Sequence, residues 1–579
     1  MRETRVGKRG WGTGEVPATN RLRTLYQLGQ YCDEGAVAGG DTSTSLSAAG
    51  EMAEDTREGS PPIPAVAALP GVGEGEQASC GMPLRRAGRT GVTFHSSGRT
   101  KETRAAQEAK ELCEELRAVD WPFRGGSAEE ASLSYQSMRH RRTAPPENLN
   151  EVITTVIDRY PRAKRLPPGL SLDEWEAGCQ MTLLQQGELL GIPAILDKCI
   201  NLRSTPGVPL AALGSTNKEV LSEYRVFVIE AVVERARELV RAGSLEGSTA
   251  EELIRRGLTD PVRLFVKEEP HPVEKIRTRR FRLICSVSLI DQIVERLFSR
   301  CQNEEEVRRW QQCPSKSGLS LADDSVMEAF RVEVLDRARD TGLVETDMTG
   351  WDWSVQEWEL DAEAQMRIAL AGVGHDDPFA RLCRNRMYCL SLSVFATSGG
   401  KLLAQPFRGL QKSGSYNTTS SNSRIRVLAS ALVGASWCYA MGDDSLEAKS
   451  ADVKEMKARY EALGHQLKQT KECESTFEFC SHEWTPGRIH PTSWHRTLYR
   501  LLNQKAPSRA LLVAQAIEKG APLDGIWGSV CQEDLMGQFR FVMRHSPELR
   551  RCEEILLRVG WHAQANRVKD DQVQDGESR

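Results

Sequence analysis

No uninterrupted apolar run in this chain reaches the ~18 residues that a membrane-crossing helix needs, which argues against a transmembrane segment. The longest candidate, 427–441, is broken by serines and Gly434 and reads as buried core. No CxxC pair occurs among the 15 cysteines, and their number is odd. In so long a chain that points to reduced thiols in a cytosolic setting. The opening segment, MRETRVGKRGWGTG, lacks the apolar stretch of a secretory signal. An excess of positive charge is missing as well: the formal net charge is −4, which excludes wholesale coating of nucleic acid but leaves room for a local basic channel. Internal repeats are absent. What remains is a chain of 579 residues, 40% hydrophobic and 27% charged, the balance of a soluble globular protein. Its length suits three or four units of ~150 residues or one large multi-lobed enzyme.

The texture changes along the chain. The first 100 residues carry 17 of the 47 glycines and clusters such as SPPIP, too little apolar surface to offset ordering entropy, so disorder is expected there. Residues 101–119 are rich in Ala, Glu, Lys and Leu and predict a helix, with Leu112, Leu116 and Val119 on one face. Gly125–Gly126 and the basic run Arg139, Arg141, Arg142 before Pro145 and Pro146 read as a second linker, either a solvated charge run or an RNA-contacting tail. From about 147 to about 565, helical and strand patterns alternate. The final stretch, VKDDQVQDGESR, reads as a frayed polar tail.

Two stretches place carboxylates at strand ends. In TGLVETDMTGWDW, Leu343 and Val344 lead a short strand into Asp347, and Asp352 follows after four residues. In SWCYAMGDDSLEAK, an apolar run, a Gly-Asp-Asp turn and a second run predict a hairpin whose tip presents Asp443 and Asp444. A hard divalent cation such as Mg2+ takes oxygen ligands and keeps several waters, so a few carboxylates on neighbouring strand ends suffice to hold it. Were Asp347 and Asp443 to converge, they could hold two ions ~4 Å apart, as two-metal phosphoryl transfer requires. Taken alone, Gly-Asp-Asp is equally a common surface turn.

Between these stretches lies KSGSYNTTSSNSRIRVLASAL, which contains the pattern SGxxxTxxxN at Ser413, Gly414, Thr418 and Asn422. At ~5% usage per residue, four fixed positions match by chance about once in 10^5 starts, so the signal is specific. Ser413 and Gly414 read as a flexible loop. Thr418 and Asn422, four apart, share a helix face and can reach one polar ligand together, with Ile425, Leu428 and Leu432 on the core side. Capping of a Ser/Thr-rich helix start is the plainer reading. Upstream, residues 261–282 carry seven Lys/Arg against three Glu. Period-two alternation puts Arg280 and Arg282 on one strand face and Phe281 and Leu283 on the other. A row of guanidinium groups matches phosphate geometry, although a solvated strand face would look the same.

The order of these features carries more than any one of them. Basic strip, D-x4-D, SGxxxTxxxN, GDD, then Gly464 with Lys468 and Lys471, then FCSH at 479–482, resembles motifs F, A, B, C, D and E of viral RNA-dependent RNA polymerases. STPGVP at 204–209 resembles their motif G. The wording of VKEEPH, GWDWSVQ, KSGSYNTTSSNSR, AMGDDS and FEFCSH is similar to the sobemovirus, polerovirus and barnavirus-like group, over about residues 120–560. The resemblance implies an α+β right-hand fold of fingers, palm and thumb, the palm an antiparallel sheet backed by helices. Fingers would run over 147–340 with a return at 372–412, palm over 341–371 and 413–485, and thumb over 486–565. It implies that Asp347 and Asp443 bind two Mg2+ ions, with Mn2+ as a substitute and Asp444 assisting. Asp352, Ser413, Gly414, Thr418 and Asn422 would bind the nucleotide and recognise its ribose, and Lys267, Lys275, Arg280 and Arg282 would line its triphosphate channel. Spacing from Gly464 favours Lys471 as the general acid, with Lys468 its rival. Ser204, Thr205, Gly207, Cys480 and Ser481 would contact RNA. NTPs, RNA template and product are the implied substrates. A genome-linked protein and other viral replication proteins are the implied partners, at membrane-associated complexes in the host cytoplasm. Competing readings are a reverse transcriptase, which would be expected to carry an aromatic steric gate near 352, a catalytically silent RNA-binding scaffold, and a structural zinc site at Cys473, Cys480 and His482.

Overall fold

Strands with alternating burial organise the molecule, because a pleated strand sends successive side chains to opposite faces. In the segment Cys438–Met441, Cys438 and Ala440 enter one apolar cluster with Ile153, Val156 and Met366, while Tyr439 enters another with Phe330, Leu343 and Trp484. In a computed structural model, residues 81–89, 98–99, 102–162, 191–321 and 323–503 are described, with short stretches at 173–174, 177, 183–185 and 188–190. Among the described residues no helix is long and apolar enough to cross a membrane.

Two sheets frame the centre. The first has four antiparallel strands in the order Cys438–Met441, Asp444–Ala448, Leu343–Met348, Leu467–Cys473. The hairpin between the first two closes on the pair Met441↔Asp444, leaving Gly442 and Asp443 as its two-residue tip. Gly442 has φ +67°, a left-handed conformation that glycine adopts without steric cost. The second sheet has five strands, ordered Arg85–Arg89, Lys401–Ala404, Val394–Ala396, Val262–Val266, Leu283–Ser286. A three-stranded sheet, Phe477–Phe479, His482–Thr485 and Arg488–Pro491, follows the first. The helix Thr418–Leu432 packs beneath the four-stranded sheet, and Glu357–Ala371 packs against that helix.

Several expectations change. Arg85–Arg89, in the stretch expected to be disordered, pairs with Lys401–Ala404, and Met82 is fully buried. The rest of residues 1–80 lies outside the described residues. The helix expected over 101–119 ends at Leu112, whose side chain is exposed. A 3-10 turn then carries Leu116, and a short strand Val119, into the core. The stretch read as a second linker forms the helix Gly126–Ser137, with Ala128, Glu129, Ser132 and Leu133 buried. Its hydrophobic periodicity is weak because polar groups are buried there by specific bonds: Glu129 accepts from the Ser398 N–H at 2.7 Å and the Ser398 hydroxyl at 2.6 Å. The strand expected to contain Arg280 and Arg282 begins only at Leu283, yet Phe281 and Leu283 are buried and Arg282 is exposed. The segment RTLYRLL does form a helix, Trp494–Leu502. The ELRRCEEILLRV helix and the polar tail lie outside the described residues.

Trp484 is fully buried, with Phe330 edge-on at 5.4 Å and Phe477 stacked at 5.6 Å. Trp484→Ala would leave a cavity that this aromatic cluster cannot collapse into, at a cost of ~3–5 kcal/mol. The expected outcome is a marked drop in thermal unfolding midpoint, read by near-UV circular dichroism.

Candidate active site

The two carboxylate-bearing stretches meet through strand register. Leu343–Thr346 pairs residue by residue with Ala448–Ser445, ending at Thr346↔Ser445. The next residues outward, Asp347 and Asp444, therefore emerge side by side at the same edge, with Asp443 at the hairpin tip. Asp347, Asp443 and Asp444 all line one cavity of about 440 Å3, with Glu345, Glu478, Cys480, Ser481 and Lys468. Asp347 and Asp443 also face a larger one of about 900 Å3.

Crowding like charges has an electrostatic signature. Desolvation in the cleft raises the Asp443 carboxyl, and the neighbouring Asp347 adds to the shift. Asp444 is pushed up to about 7, by desolvation first and then by Asp443 and Asp347. A buried lattice beneath the tip holds them together. Glu447 accepts from the hydroxyls of Thr346 at 2.9 Å and Tyr460 at 2.7 Å and also from Ser430. Arg426 lies 3.6 Å from it and donates to Tyr460 at 2.8 Å. All-oxygen donors gathered at one strand edge suit a hard divalent cation. As the side chains stand, no three carboxylate, imidazole or thiol groups among the described residues close on one coordination point. Asp347 is instead engaged by Lys468.

The SGxxxTxxxN segment lies across the larger cavity. Asn422 donates to Asp352 Oδ1 at 2.9 Å, and Asn422 Oδ1 is buried with no hydrogen-bond partner among the described residues. The Thr418 hydroxyl lines the cavity and donates toward the carbonyls of Ser415 at 2.8 Å and Lys412 at 2.9 Å. Ser413 and Gly414 are not flexible, contrary to the sequence reading. The Cys285 N–H donates to Ser413 Oγ at 3.0 Å and the Gly414 N–H to the Cys285 carbonyl at 2.9 Å. A Cβ at 414 would stand 2.3 Å from that carbonyl, so glycine serves close backbone approach.

Lys267, Lys275, Arg280 and Arg282 all line the larger cavity. Burial lowers the Lys275 pKa first, and Arg282, Arg496 and Lys468 lower it further. Glu269 is a built-in counterion, 2.9 Å from Lys267 and 2.8 Å from Arg282. Lys471, favoured on spacing, stands opposite Glu345, with its Nζ 3.8 Å from that carboxylate and outside both cavity walls. The register shifts between Asp347 and Met348, and this bulge brings Lys468 onto the Asp347 carboxylate. Cys480 and Ser481, both at positive φ, form the tight turn facing Asp444. Ser204, Thr205 and Gly207 lie in a loop outside both walls, where Thr205 accepts from Arg263 at 3.4 Å. Cys473, Cys480 and His482 do not gather into a zinc site: Cys473 bonds to Glu345 and Cys480 to Met441. Among the wall residues not assigned to the site from sequence are Tyr135, Arg139 and Arg496. The basic run flagged Arg139; nothing in the sequence singles out the other two.

Residues 104–493 match the family described as viral RNA-directed RNA-polymerase. The chain belongs to this viral RNA-directed RNA polymerase family. It is 39% identical over 447 residues to the replicase polyprotein P2AB of southern bean mosaic virus, covering 74% of this chain and 44% of that one. Protein P1-P2 of potato leafroll virus is 33% identical over 460 residues, covering 75% and 41%. The RNA-directed RNA polymerase of mushroom bacilliform virus is 36% identical over 327 residues, covering 54% and 77%. The chain thus spans less than half the length of the polyproteins it matches. A sicinivirus 3Dpol RNA-dependent RNA polymerase superposes with TM-score 0.51 at 13% identity, covering 84% of this chain and 99% of that one. This likeness establishes the right-hand polymerase fold, an α+β architecture with an antiparallel palm sheet.

Within this polymerase-family fold, Asp352 is pushed up to about 6, by burial first, against the lowering bond from Asn422. A carboxyl raised above its unfolded value of ~3.9 favours the fold below about pH 4, and that contribution is lost as pH climbs through about 6. Asp352→Asn should therefore melt higher than the parent at about pH 8, by ~1–2 kcal/mol after allowance for partial exposure, and equally at about pH 4. Melting curves at the two pH values check this.

Proposed function

We propose that the chain is an RNA-directed RNA polymerase that replicates and transcribes a viral RNA genome, adding NTPs to an RNA 3′-hydroxyl opposite an RNA template. One observation carries the reading: Asp347 and Asp443, distant in sequence, line the same cavity as the Asp352–Asn422 pair and four cations of the basic strip. The four-stranded sheet is read as the palm and the five-stranded sheet as part of the fingers.

Asp347 and Asp443, with Asp444 beside them, would hold two Mg2+ ions, Mn2+ serving as a substitute. When bound, the metals supply activation of the attacking hydroxyl and neutralisation of the phosphate charge. The protein's own contribution is positioning and electrostatics, since phosphoryl transfer asks little covalent work of it. Lys267, Lys275, Arg280 and Arg282 orient the triphosphate, with Arg139 and Arg496 extending the cationic wall. A ribose 2′-hydroxyl can donate to the free Asn422 Oδ1 and reach Asp352, whereas a deoxynucleotide leaves these buried groups unsatisfied. Thr418 completes that polar surface. Cys480 and Ser481 would grip the primer strand, and the loop at Ser204, Thr205 and Gly207 the template. Lys468, which lines both cavities beside Asp347, would donate a proton to the leaving pyrophosphate; its position favours it over Lys471.

Template-dependent NTP incorporation on primed RNA tests the reading. Asp443→Ala, Asp347→Ala or chelation of divalent cations should abolish it. Lys468→Leu should lower kcat by about 10²-fold or more with KM little changed, while Lys471→Leu stays close to the parent. Unchanged extension by Asp443→Ala would overturn the assignment. Equal use of dNTPs and NTPs would point to a reverse transcriptase.

A further inference from the structure

One stripe of the helix Leu289–Arg308 grips three consecutive residues of the loop that starts the ribose-sensing helix. Glu295 is fully buried, and its Oε2 accepts from the Ser415 hydroxyl at 2.8 Å and the Tyr416 N–H at 2.7 Å. Arg296, the next residue, lays its guanidinium 4.1 Å from the Tyr416 ring centre. Two turns further on, Asn303 donates to Asn417 Oδ1 at 2.9 Å. The other Glu295 oxygen is tied down by Arg386, whose Nε and Nη2 donate at 3.1 and 2.8 Å from the helix Pro378–Ser391. Both carboxylate oxygens are thus committed, one to a neighbouring helix and one to the loop.

The grip passes into the site through short links. The Ser415 carbonyl accepts from the Thr418 N–H at 3.2 Å and from its hydroxyl at 2.8 Å. The Asn417 carbonyl accepts from the Ser421 N–H at 2.7 Å, which fixes the first turn of the helix. Asn422 follows immediately and holds Asp352. A rigid carboxylate that accepts from both a hydroxyl and a backbone N–H defines where the loop sits, and so the height and rotation of the helix that begins there.

We propose that Glu295, seated between Arg386 and the Ser415–Tyr416 backbone, is a positioning residue for sugar selection: it sets the placement of Thr418 and Asn422 without touching the nucleotide. The proposal rests on the ribose-recognition reading above. A buried carboxylate serving stability alone would lower all activity in step with folding. A positioning role shifts the preference for NTP over its 2′-deoxy counterpart.

The test uses the full chain in primed extension on an RNA template, with kcat and KM measured for ATP and dATP and melting points alongside. Glu295→Gln, which replaces an acceptor oxygen with a donor, and Ser415→Ala, which removes the hydroxyl's bond to Glu295 and the one it accepts from the Asn417 N–H but no buried charge, are each expected to lower the ribo-to-deoxy ratio of kcat/KM about tenfold, chiefly through KM for ATP. Ser415→Thr keeps the hydroxyl and should retain the parent ratio. Ser299→Ala, on the same helix and bonded only to the Glu295 carbonyl, should leave it unchanged. Should Glu295→Gln fail to fold, Ser415→Ala and its threonine rescue decide. A parent-like ratio in Ser415→Ala, with any loss of rate matching a loss of melting point, overturns the proposal. Asn422→Ala separates the two levels: if it loses discrimination while Ser415→Ala does not, only this proposal fails, and if it keeps full discrimination, the ribose reading falls and this one with it.

Discussion

Carboxylates do not gather at one spot unless something beneath them prevents their separation. Here that role falls to the buried cluster of Glu447, Arg426, Tyr460, Thr346 and Ser445, which joins two strands and two helices just below the acidic tip. Each polar atom that the strands bring inward finds a partner in it, and the Arg426 charge acts upward on Asp443 and Asp444. The repulsion at the tip is therefore only partly offset from below, and both carboxyls stay raised. Breaking any single member would leave a buried charge or hydroxyl uncompensated, which costs more than the interaction itself contributes.

The same logic repeats around the helix Thr418–Leu432. It is buried on almost every side, and its interior arginine Arg424 meets Glu306 and Glu363, while Arg367 bonds to Glu363 and reaches Ser420 and Ser421. Such pairing adds little net stability over apolar packing, but it admits only one arrangement of the helices. The ribose reading proposed for this helix calls for that kind of fixity more than for extra stability.

Much of the chemistry was legible in the amino-acid order because it resides in short, local patterns. The strand ending in Asp347, the hairpin tip at Asp443 and the four-residue spacing of Thr418 and Asn422 are properties of a few adjacent residues. Pairing across the sheet is not local, and there the reading strayed. The bulge that turns Lys468 toward Asp347, leaving Lys471 at Glu345, depends on register between strands far apart in sequence. Gly414 looked like a source of flexibility because its reason, the Cys285 carbonyl against its Cα, belongs to another segment. Gly126–Ser137 read as a linker because a Gly-Gly pair precedes it and a basic run with two prolines follows, while the partners that bury its polar Glu129 and Ser132 lie far away in sequence. Glu295, Arg386 and Arg426 carried no signal for the same reason.

The basic wall of the larger cavity has a consequence of its own. Lys267 and Arg282 already share Glu269, so at these two cations an arriving polyanion meets a resident carboxylate that it must displace. Occupancy becomes an exchange of anions, and departure of one restores the other. Such a wall holds its guest loosely, depends on ionic strength less steeply than a tally of its cations implies, and resets itself after every cycle.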